Sequence, residues 1–285
     1  MEKLRDMAND KQLFLYEFRK RRKDFTFWFV IVVITLIIFL FICSKEISVL
    51  QTLSSITKTF SFVIILIKVI NYQNCSGLSI NSLICYLIAL AWRKFVVTFW
   101  AVRLKSLQNI DYINTTFSSI CEFGSFLICI FLVYAIYFKY PETSDNKLDN
   151  KLPFYYLCIP AFIVSIPFKP WIFRNWFADL LWIYSIFLES ISVYPQICLF
   201  SVKKKQIETF TSHFLALQGL SSIFSIFFWL KSFYLYNDGA SLLLGEYSGY
   251  FIMISEIIKL IIMGYYFYLY FESLENTKAH KKYDI

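Results

Sequence analysis

The chain has 285 residues, of which 58% are hydrophobic and 21% aromatic, while only 17% are charged. A soluble domain is about half apolar and about a quarter charged, so this composition excludes an ordinary soluble protein and indicates a polytopic membrane protein. The formal net charge of +8 does not indicate nucleic-acid binding, because Lys and Arg cluster beside apolar segments, where membrane topology accounts for them.

Eight apolar stretches have the length of a membrane crossing, which takes about 20 residues, or come close to it. The first, Thr26–Cys43, is uncharged and follows a basic tail at 1–25. The others, in chain order, are Leu53–Ile70, Leu78–Trp100, Thr115–Phe138, Phe154–Phe168, Phe177–Phe200, Thr211–Leu235 and Gly249–Phe271. Phe154–Phe168 is short and contains two prolines, so it is the weakest candidate for a full crossing. We therefore predict an all-α polytopic membrane protein with a C-terminal tail at 274–285.

The basic residues predict the orientation of these spans. The N-terminal tail contains "RKRRK" at Arg19–Lys23, and the loop after the span 177–200 contains Lys203–Lys205. Both fall on one side if the spans alternate, whereas the loop "YNDGASLLLGEYS" on the other side has no Lys or Arg. By the positive-inside rule, both chain ends are expected in the cytosol.

The dipeptide Pro195-Gln196 interrupts the span 177–200 near its predicted cytosolic end. Proline removes a backbone donor and kinks a helix, so we expect a hinge there, with glutamine satisfying the freed backbone groups.

Two segments of the chain resemble each other. "CSGLSINSLICYLIAL" (Cys75–Leu90) and "IETFTSHFLALQGL" (Ile207–Leu220) both lead from a small or polar cluster into an apolar helix. Without the first span, Thr26–Cys43, three spans precede the linker span Phe154–Phe168 and three follow it. We therefore predict a parallel 3+1+3 repeat, in which sites lie near the repeat interface.

Charges within a span cost about 2.5–3.5 kcal/mol each and therefore point to function. Asp179, Trp182 and Glu189 recur at helical steps on one broad face of a span. Arg93 lies in another span, and its predicted partner is either Asp179 or the carboxylate of a ligand, which a guanidinium holds well.

Other charged residues in the spans are expected to have structural roles. Lys58 and Lys68 are expected to extend towards the membrane surface. Glu256 and Lys259 are three residues apart and are expected to pair on one helix. The seven cysteines predict buried free thiols. The sequence contains no pairing of nucleophile and base, no metal-ligand spacing and no phosphate-binding loop, so we predict neither an enzyme nor a cofactor.

Four stretches carry a resemblance to a known family: "CSGLS", "IYSIFLESISVYPQICLF", "ETFTSHFLALQGL" and "YYFYLYFES". Over residues 47–273 the chain resembles the KDEL-receptor family, the ER lumen protein-retaining receptors. The resemblance implies a seven-helix 3+1+3 fold like that of PQ-loop and sugar-transporting SWEET proteins. The span 26–43 would then be one extra N-terminal transmembrane helix.

The resemblance also implies a function and a location. Family members bind the C-terminal KDEL- or HDEL-type tetrapeptide of escaped lumenal proteins and return them from Golgi to ER in COPI vesicles. The expected partners are therefore such retention peptides, the COPI coat and the lipid bilayer, and the expected location is the ER and Golgi membrane. The alternatives are a small-solute transporter of SWEET or PQ-loop type, or a divergent Golgi membrane protein that has lost KDEL binding.

Five residues match positions that bind ligand in the family. The resemblance implies that Arg93 holds the terminal carboxylate of the peptide. Asp179 and Trp182 would surround the basic residue of the peptide. Glu189 matches a buried glutamate of the proton-linked lock, and Trp229 matches a tryptophan of the pocket.

Several other family positions are changed in this chain. Gln51 replaces an arginine of the family, Lys58 replaces the pH-sensing histidine, and Ser221-Ser222 replaces a Tyr-Arg pair. Ser232 replaces a further arginine, and Tyr265 replaces a sorting aspartate. Lys58 and Lys231 are expected to compensate in part, although lysine lacks the fork geometry of arginine. A tetrapeptide with acidic side chains would lose charge-assisted bonds worth about 1.5–3 kcal/mol each.

Overall fold

The structure is a computed structural model. It describes residues 48–107, 112–145, 149, 152–173, 175–203, 209–232 and 244–283. The predicted basic tail at 1–25 and the extra helix at 26–43 lie outside the described residues. Within the described ranges the regular secondary structure is helical throughout, as the composition predicts.

The first half of the described chain consists of three long helices. They are α1 (Ser48–Tyr72), α2 (Ile80–Leu107) and α3 (Tyr112–Tyr134), and a π-helical turn at Ala135–Lys139 continues α3. Each helix contains a segment long and apolar enough to cross a membrane. The predicted spans coincide with these helices, although α1 begins at Ser48, five residues before the predicted Leu53.

The linker helix α4 (Tyr155–Ser165) has 11 residues. At a rise of 1.5 Å per residue it is about 16 Å long, roughly half of the hydrocarbon core of a bilayer. This agrees with the prediction that Phe154–Phe168 is the weakest crossing. The aromatic and apolar side chains on one side of α4, including Tyr156, Ile159 and Ile163, are exposed on the protein surface.

The second half contains four helices: α5 (Trp176–Ile191), α6 (Tyr194–Lys203), α7 (Thr209–Ser232) and α8 (Ser248–Tyr283). Helices α5 and α6 together form one candidate span, and α7 and α8 each contain another. Six helical segments of the described chain are thus candidate membrane spans. The structure therefore agrees with a polytopic all-α membrane protein.

The structure has a break between two helices near Pro195 instead of the expected kink within one helix. The helix is interrupted by a turn at Ser192 and Val193, and Pro195 is the second residue of the new helix α6. In the first turn of a helix the backbone N–H groups have no intrahelical partner, so proline is well tolerated there. Pro195 therefore helps to begin a helix instead of bending a continuous one.

Gln196 joins this helix start to the loop between α1 and α2. Its side-chain oxygen accepts a hydrogen bond from the Ser79 backbone N–H at 2.8 Å, and its amide nitrogen donates to the Gly77 carbonyl oxygen at 2.7 Å. Gln196 is 2% exposed. Glutamine thus satisfies backbone groups of the first repeat instead of groups freed on its own helix.

Helices α1 and α7 pack closely through a pair of serines. The Ser54 hydroxyl donates to the Ser221 carbonyl oxygen, and the Ser221 hydroxyl donates to the Ser54 carbonyl oxygen, each at 2.9 Å. Small side chains with reciprocal hydrogen bonds allow two membrane helices to approach. This contact holds the first repeat against the second.

Candidate functional site

A polar cavity of about 90 Å³ lies among the helices of both repeats. Five charged side chains line it: Lys58, Arg93, Glu122, Glu189 and Glu256. They come from α1, α2, α3, α5 and α8, so the cavity requires the assembled bundle. Charged groups at this depth are expensive unless they are paired, and their pairing defines the site.

Glu189 is the centre of the charged cluster. The carboxylate forms ion pairs with Lys58, with Arg93 Nη1 at 2.5 Å and with Lys259 Nζ at 3.2 Å. Glu189 is 4% exposed and lies near the middle of the span formed by α5 and α6, as predicted. One carboxylate therefore serves as counter-ion for cations from three other helices.

Arg93 has a second partner in Glu122. The Arg93 Nη1 atom is 3.5 Å from Glu122 Oε1. The prediction that Arg93 pairs with Asp179 is wrong, because the guanidinium faces the interior of the bundle, where Glu189 and Glu122 meet it.

The expectation that Lys58 and Lys68 extend to the membrane surface is also wrong. Lys58 is 5% exposed and faces Glu189 in the cavity. Lys68 is 4% exposed, and its Nζ donates to the Ser76 carbonyl oxygen at 2.6 Å. Both cations find partners inside the protein, and this removes the reason for them to reach solvent.

The prediction that Glu256 and Lys259 pair with each other along α8 is wrong as well. Lys259 pairs with Glu189, and Glu256 Oε1 accepts a hydrogen bond from the Ser225 hydroxyl at 2.9 Å. Both residues are buried. The short sequence spacing favours an intrahelical pair, but both side chains face neighbouring helices and bind there.

Asp179 lies apart from the cavity wall. Its Oδ1 accepts hydrogen bonds from the backbone N–H groups of Ile172 at 3.0 Å and Phe173 at 2.8 Å. Asn175, the residue that caps α5, accepts from the N–H groups of Phe177 and Ala178. Asp179 thus fastens the loop that precedes α5, and it is absent from the residues that line the cavity.

The two predicted tryptophans do line the cavity. The rings of Trp182 and Trp229 are in edge-to-face contact, with centroids 6.3 Å apart. Phe228 lies beside Trp229 at 5.1 Å between ring centroids. The structure therefore brings together Arg93, Trp182, Glu189 and Trp229, four of the five predicted site residues.

The two lysines expected to compensate for lost arginines differ in placement. Lys58 lines the cavity, whereas Lys231 is exposed at the end of α7 and is not part of the cavity wall. Lys231 therefore does not place a cation in the cavity wall. The second lysine that binds Glu189 is Lys259, for which the sequence predicts an intrahelical pair.

The changed family positions have other roles in the structure. Ser221 contacts Ser54, as described above, and the Ser222 and Ser232 hydroxyls donate to carbonyl oxygens one turn earlier on α7. Gln51 lines the cavity together with three serines, Ser54, Ser55 and Ser225. Sequence reasoning missed these serines, because serine in an apolar helix gives no signal that distinguishes a cavity wall from a helix contact.

A second polar cluster lies where α2 begins. The Asp149 carboxylate accepts hydrogen bonds from the Ser79 hydroxyl at 2.6 Å and from the backbone N–H and side-chain amide of Asn81, each at 3.0 Å. Burial raises the pKa of the Asp149 carboxyl above its usual 3.8, and these hydrogen bonds oppose the rise. Asn81 in turn accepts from the Phe154 backbone N–H at 3.0 Å, so this cluster clamps the linker onto α2.

Membrane-spanning helices around a buried charged cavity define a polytopic membrane protein with a candidate ligand site between two repeats. The family model described as "ER lumen protein retaining receptor" matches residues 74–232. This match covers more than half of the chain, which therefore belongs to the ER lumen protein retaining receptor family.

Individual relatives agree with this assignment. The chain is 26% identical over 231 residues to ER lumen protein-retaining receptor 3 of Mus musculus, covering 78% of this chain and 92% of that receptor. It is 27% identical over 215 residues to the ER lumen protein-retaining receptor of Dictyostelium discoideum, covering 75% and 88%. These relatives are named as receptors, not as enzymes.

Proposed function

We propose that this protein is a receptor for C-terminal KDEL- or HDEL-type retention signals of ER lumenal proteins. In this proposal it works in the ER and Golgi membranes, with both termini in the cytosol, and returns its cargo from Golgi to ER in COPI vesicles. The single observation that carries the proposal is the placement of Arg93 in the wall of a buried cavity beside two tryptophans.

The chemistry of Arg93 supports this role. A guanidinium binds a carboxylate through two parallel hydrogen bonds, which gives both affinity and orientation. Arg93 already binds carboxylates of its own protein, Glu189 and Glu122. The terminal carboxylate of a peptide is the same chemical group and can take the place of one of them.

The aromatic wall supports a peptide ligand. Trp182, Phe228 and Trp229 line the same cavity as Arg93. Ligand sites are mostly apolar and aromatic, with a few polar groups that fix orientation. An apolar C-terminal side chain next to a carboxylate suits such a wall.

Aromatic side chains packed next to the cavity argue against the alternative that the protein is a small-solute transporter. The rings of Phe62 and Tyr86 contact each other at 5.4 Å between centroids, and those of Phe62 and Phe214 at 5.6 Å. Phe62 lies one helical turn beyond Lys58, toward the end of the bundle that holds Gln196. Three aromatic rings therefore lie between the cavity and that end, across the path that a solute would need.

A binding assay tests the proposal. The purified protein in detergent is titrated with peptides ending in Lys-Asp-Glu-Leu or His-Asp-Glu-Leu and with the same peptides carrying a C-terminal amide. Saturable binding of the free carboxylates and its loss in Arg93→Gln support the proposal. Lys94→Gln is the matched control, because Lys94 is adjacent on α2 but bonds to Ser119 outside the cavity. Equal binding of free and amidated peptides would refute the proposal.

A further inference from the structure

An apolar groove lies on the outer side of the bundle, between α2, α4 and α5. Its volume is about 360 Å³, which is within the usual range for sites that bind small ligands. Helix α2 contributes Trp92 to the wall, and α4 and α5 contribute the other lining residues. Among the residues that the structure describes in this wall, none is charged. The groove therefore suits a hydrocarbon ligand, in contrast to the charged cavity.

The groove runs along the helix axes. On α5 the lining residues are Phe177, Leu181 and Tyr184, which recur at steps of four and three and therefore form one stripe along the helix. At a rise of 1.5 Å per residue this stripe is about 10 Å long. Helix α5 belongs to a candidate membrane span, so the groove extends in the direction in which the lipid chains of a bilayer run.

Helix α4 forms the outer wall of the groove. The lining residues on α4 are Cys158, Ile159, Phe162 and Ile163. Ile159 and Ile163 are 57% and 59% exposed. The rings of Phe162 and Tyr184 are in edge-to-face contact, with centroids 5.4 Å apart, and this contact joins the outer wall to α5. The groove is thus bounded on the inside by the bundle and is open along α4.

The open side of the groove is continuous with the lipid-facing surface of the protein. Trp92 and Phe177 both lie within candidate membrane spans. The apolar surface of α4 continues beyond the groove at Tyr156 and Val164, which are also exposed. In a membrane protein, a surface of this kind at the depth of the spans faces hydrocarbon. Lipid chains are therefore the neighbours that reach the groove.

An acyl chain would improve the packing of the groove. Leu181 and Tyr184 form its buried floor, and side chains beside a void lose dispersion contacts. A linear chain laid along the stripe on α5 restores these contacts. Trp92 and Leu181 directly precede Arg93 and Trp182, which line the cavity. A chain in the groove therefore contacts the same two helices that carry one part of the cavity wall.

We infer that this groove is a binding site for one acyl chain of a bilayer phospholipid. The chain lies along Phe177, Leu181 and Tyr184, between α4 and α2. It exchanges more slowly than the lipids around the rest of the protein. This lipid site goes beyond the proposed receptor function and does not depend on it.

Photo-crosslinking in vesicles tests the inference. The unaltered full chain is reconstituted in phosphatidylcholine, a small fraction of which carries a diazirine in the middle of one acyl chain. After irradiation, mass spectrometry of peptides locates the labelled residues. Labelling of Ile159 and Ile163 is expected to exceed by several-fold that of Ile254 and Ile261, which are comparably exposed on the membrane span of α8. Equal or weaker labelling in the groove overturns the inference.

A variant that fills the groove locates the bound chain. In Ile159→Trp, labelling of Ile163 is expected to fall about fourfold for each methylene group that the larger side chain keeps out. Ile254→Trp is the matched control and should leave this labelling unchanged. An unchanged signal in Ile159→Trp overturns the assignment of the groove. If Ile159→Trp does not fold, the comparison of isoleucines on the unaltered chain still decides.

A sterol is the competing occupant. Cholesterol is added to the same vesicles, and labelling of Ile163 is compared with that of Ile254. A parallel dilution of both signals supports an acyl-chain site. Selective loss of the Ile163 signal would show that the groove prefers a sterol and would overturn the inference.

Discussion

The Arg93 guanidinium and the Glu189 carboxylate lie 2.5 Å apart in the interior of the bundle, on helices that belong to different repeats. Lys58 and Lys259 bind the same carboxylate. Among the residues that the structure describes, Glu189 is therefore a counter-ion that α1, α2 and α8 share.

Replacing Glu189 by Gln tests this arrangement. The substitution keeps the shape of the side chain but leaves Lys58, Arg93 and Lys259 without their common anion. Removing one partner of a buried ion pair typically costs about 3–5 kcal/mol, because the remaining charge is buried and unpaired. We expect a loss of this order in the free energy of unfolding, measured in detergent micelles. Glu246→Gln on the surface should stay within about 0.5 kcal/mol of the unaltered chain, and a similar small effect in Glu189→Gln would contradict the shared counter-ion.

Combining Lys58→Met with Glu189→Gln should reveal the coupling between the two residues. Methionine keeps much of the length of lysine but removes its charge. In the unaltered chain Lys58→Met removes a cation that faces Glu189, so we expect it to lower the free energy of unfolding. In the Glu189→Gln background the same change removes a charge that has lost its anion, so it should destabilise less or even stabilise. Contacting charged residues typically show a coupling of about 0.5–3 kcal/mol in such a double-mutant cycle, and strictly additive effects would count against a Lys58–Glu189 pair.

Replacing Gln196 by Leu should loosen the loop between α1 and α2. The change leaves the Ser79 N–H and the Gly77 carbonyl without their partner, and each unsatisfied buried group costs about 1–3 kcal/mol. We expect lower stability and faster hydrogen exchange at the Ser79 amide. Ser201→Ala on the exposed side of the same helix is the control. Unchanged exchange at Ser79 would show that another group holds the loop.

We predict that the free energy of unfolding depends on pH through the carboxyl group of Asp149. Burial raises its pKa above 3.8 in the folded chain, so between 3.8 and the raised value the folded state binds more protons than the unfolded state. The free energy of unfolding therefore falls as pH rises through this window. Asp149→Asn should remove this part of the slope, whereas Glu142→Gln on the surface should retain it. An unaltered slope in Asp149→Asn would show that Asp149 titrates alike in both states.

The membrane spans could be predicted from the sequence because an uncharged apolar run of about 20 residues is typical of a membrane helix and rare in soluble domains. The start of α6 could not, since proline is compatible both with a kinked helix and with the first turn of a new one. Only the structure distinguishes these cases, by the turn at Ser192 and Val193.

The site residues could be identified from the sequence, but their ion-pair partners could not. Arg93 and Glu189 stand out in the sequence as charges within spans, and the resemblance to the family points to both. Their pairing depends on how far each helix is rotated and shifted in the bundle, and packing against neighbours determines this. The sequence predicts Glu256 as the partner of Lys259 because local spacing is visible in a sequence, whereas a neighbouring helix is not.

The shared counter-ion also matters during synthesis of the chain. Lys58 and Arg93 leave the ribosome well before Glu189, which lies on a much later helix of the bundle. An unpaired charge at the centre of a helix costs about 2.5–3.5 kcal/mol during insertion. Glu122 is made before Glu189 and can accompany Arg93, whereas Glu189, the ion-pair partner of Lys58, is made only with α5. Lys58 on α1 thus gains its ion-pair partner only when the second repeat is made.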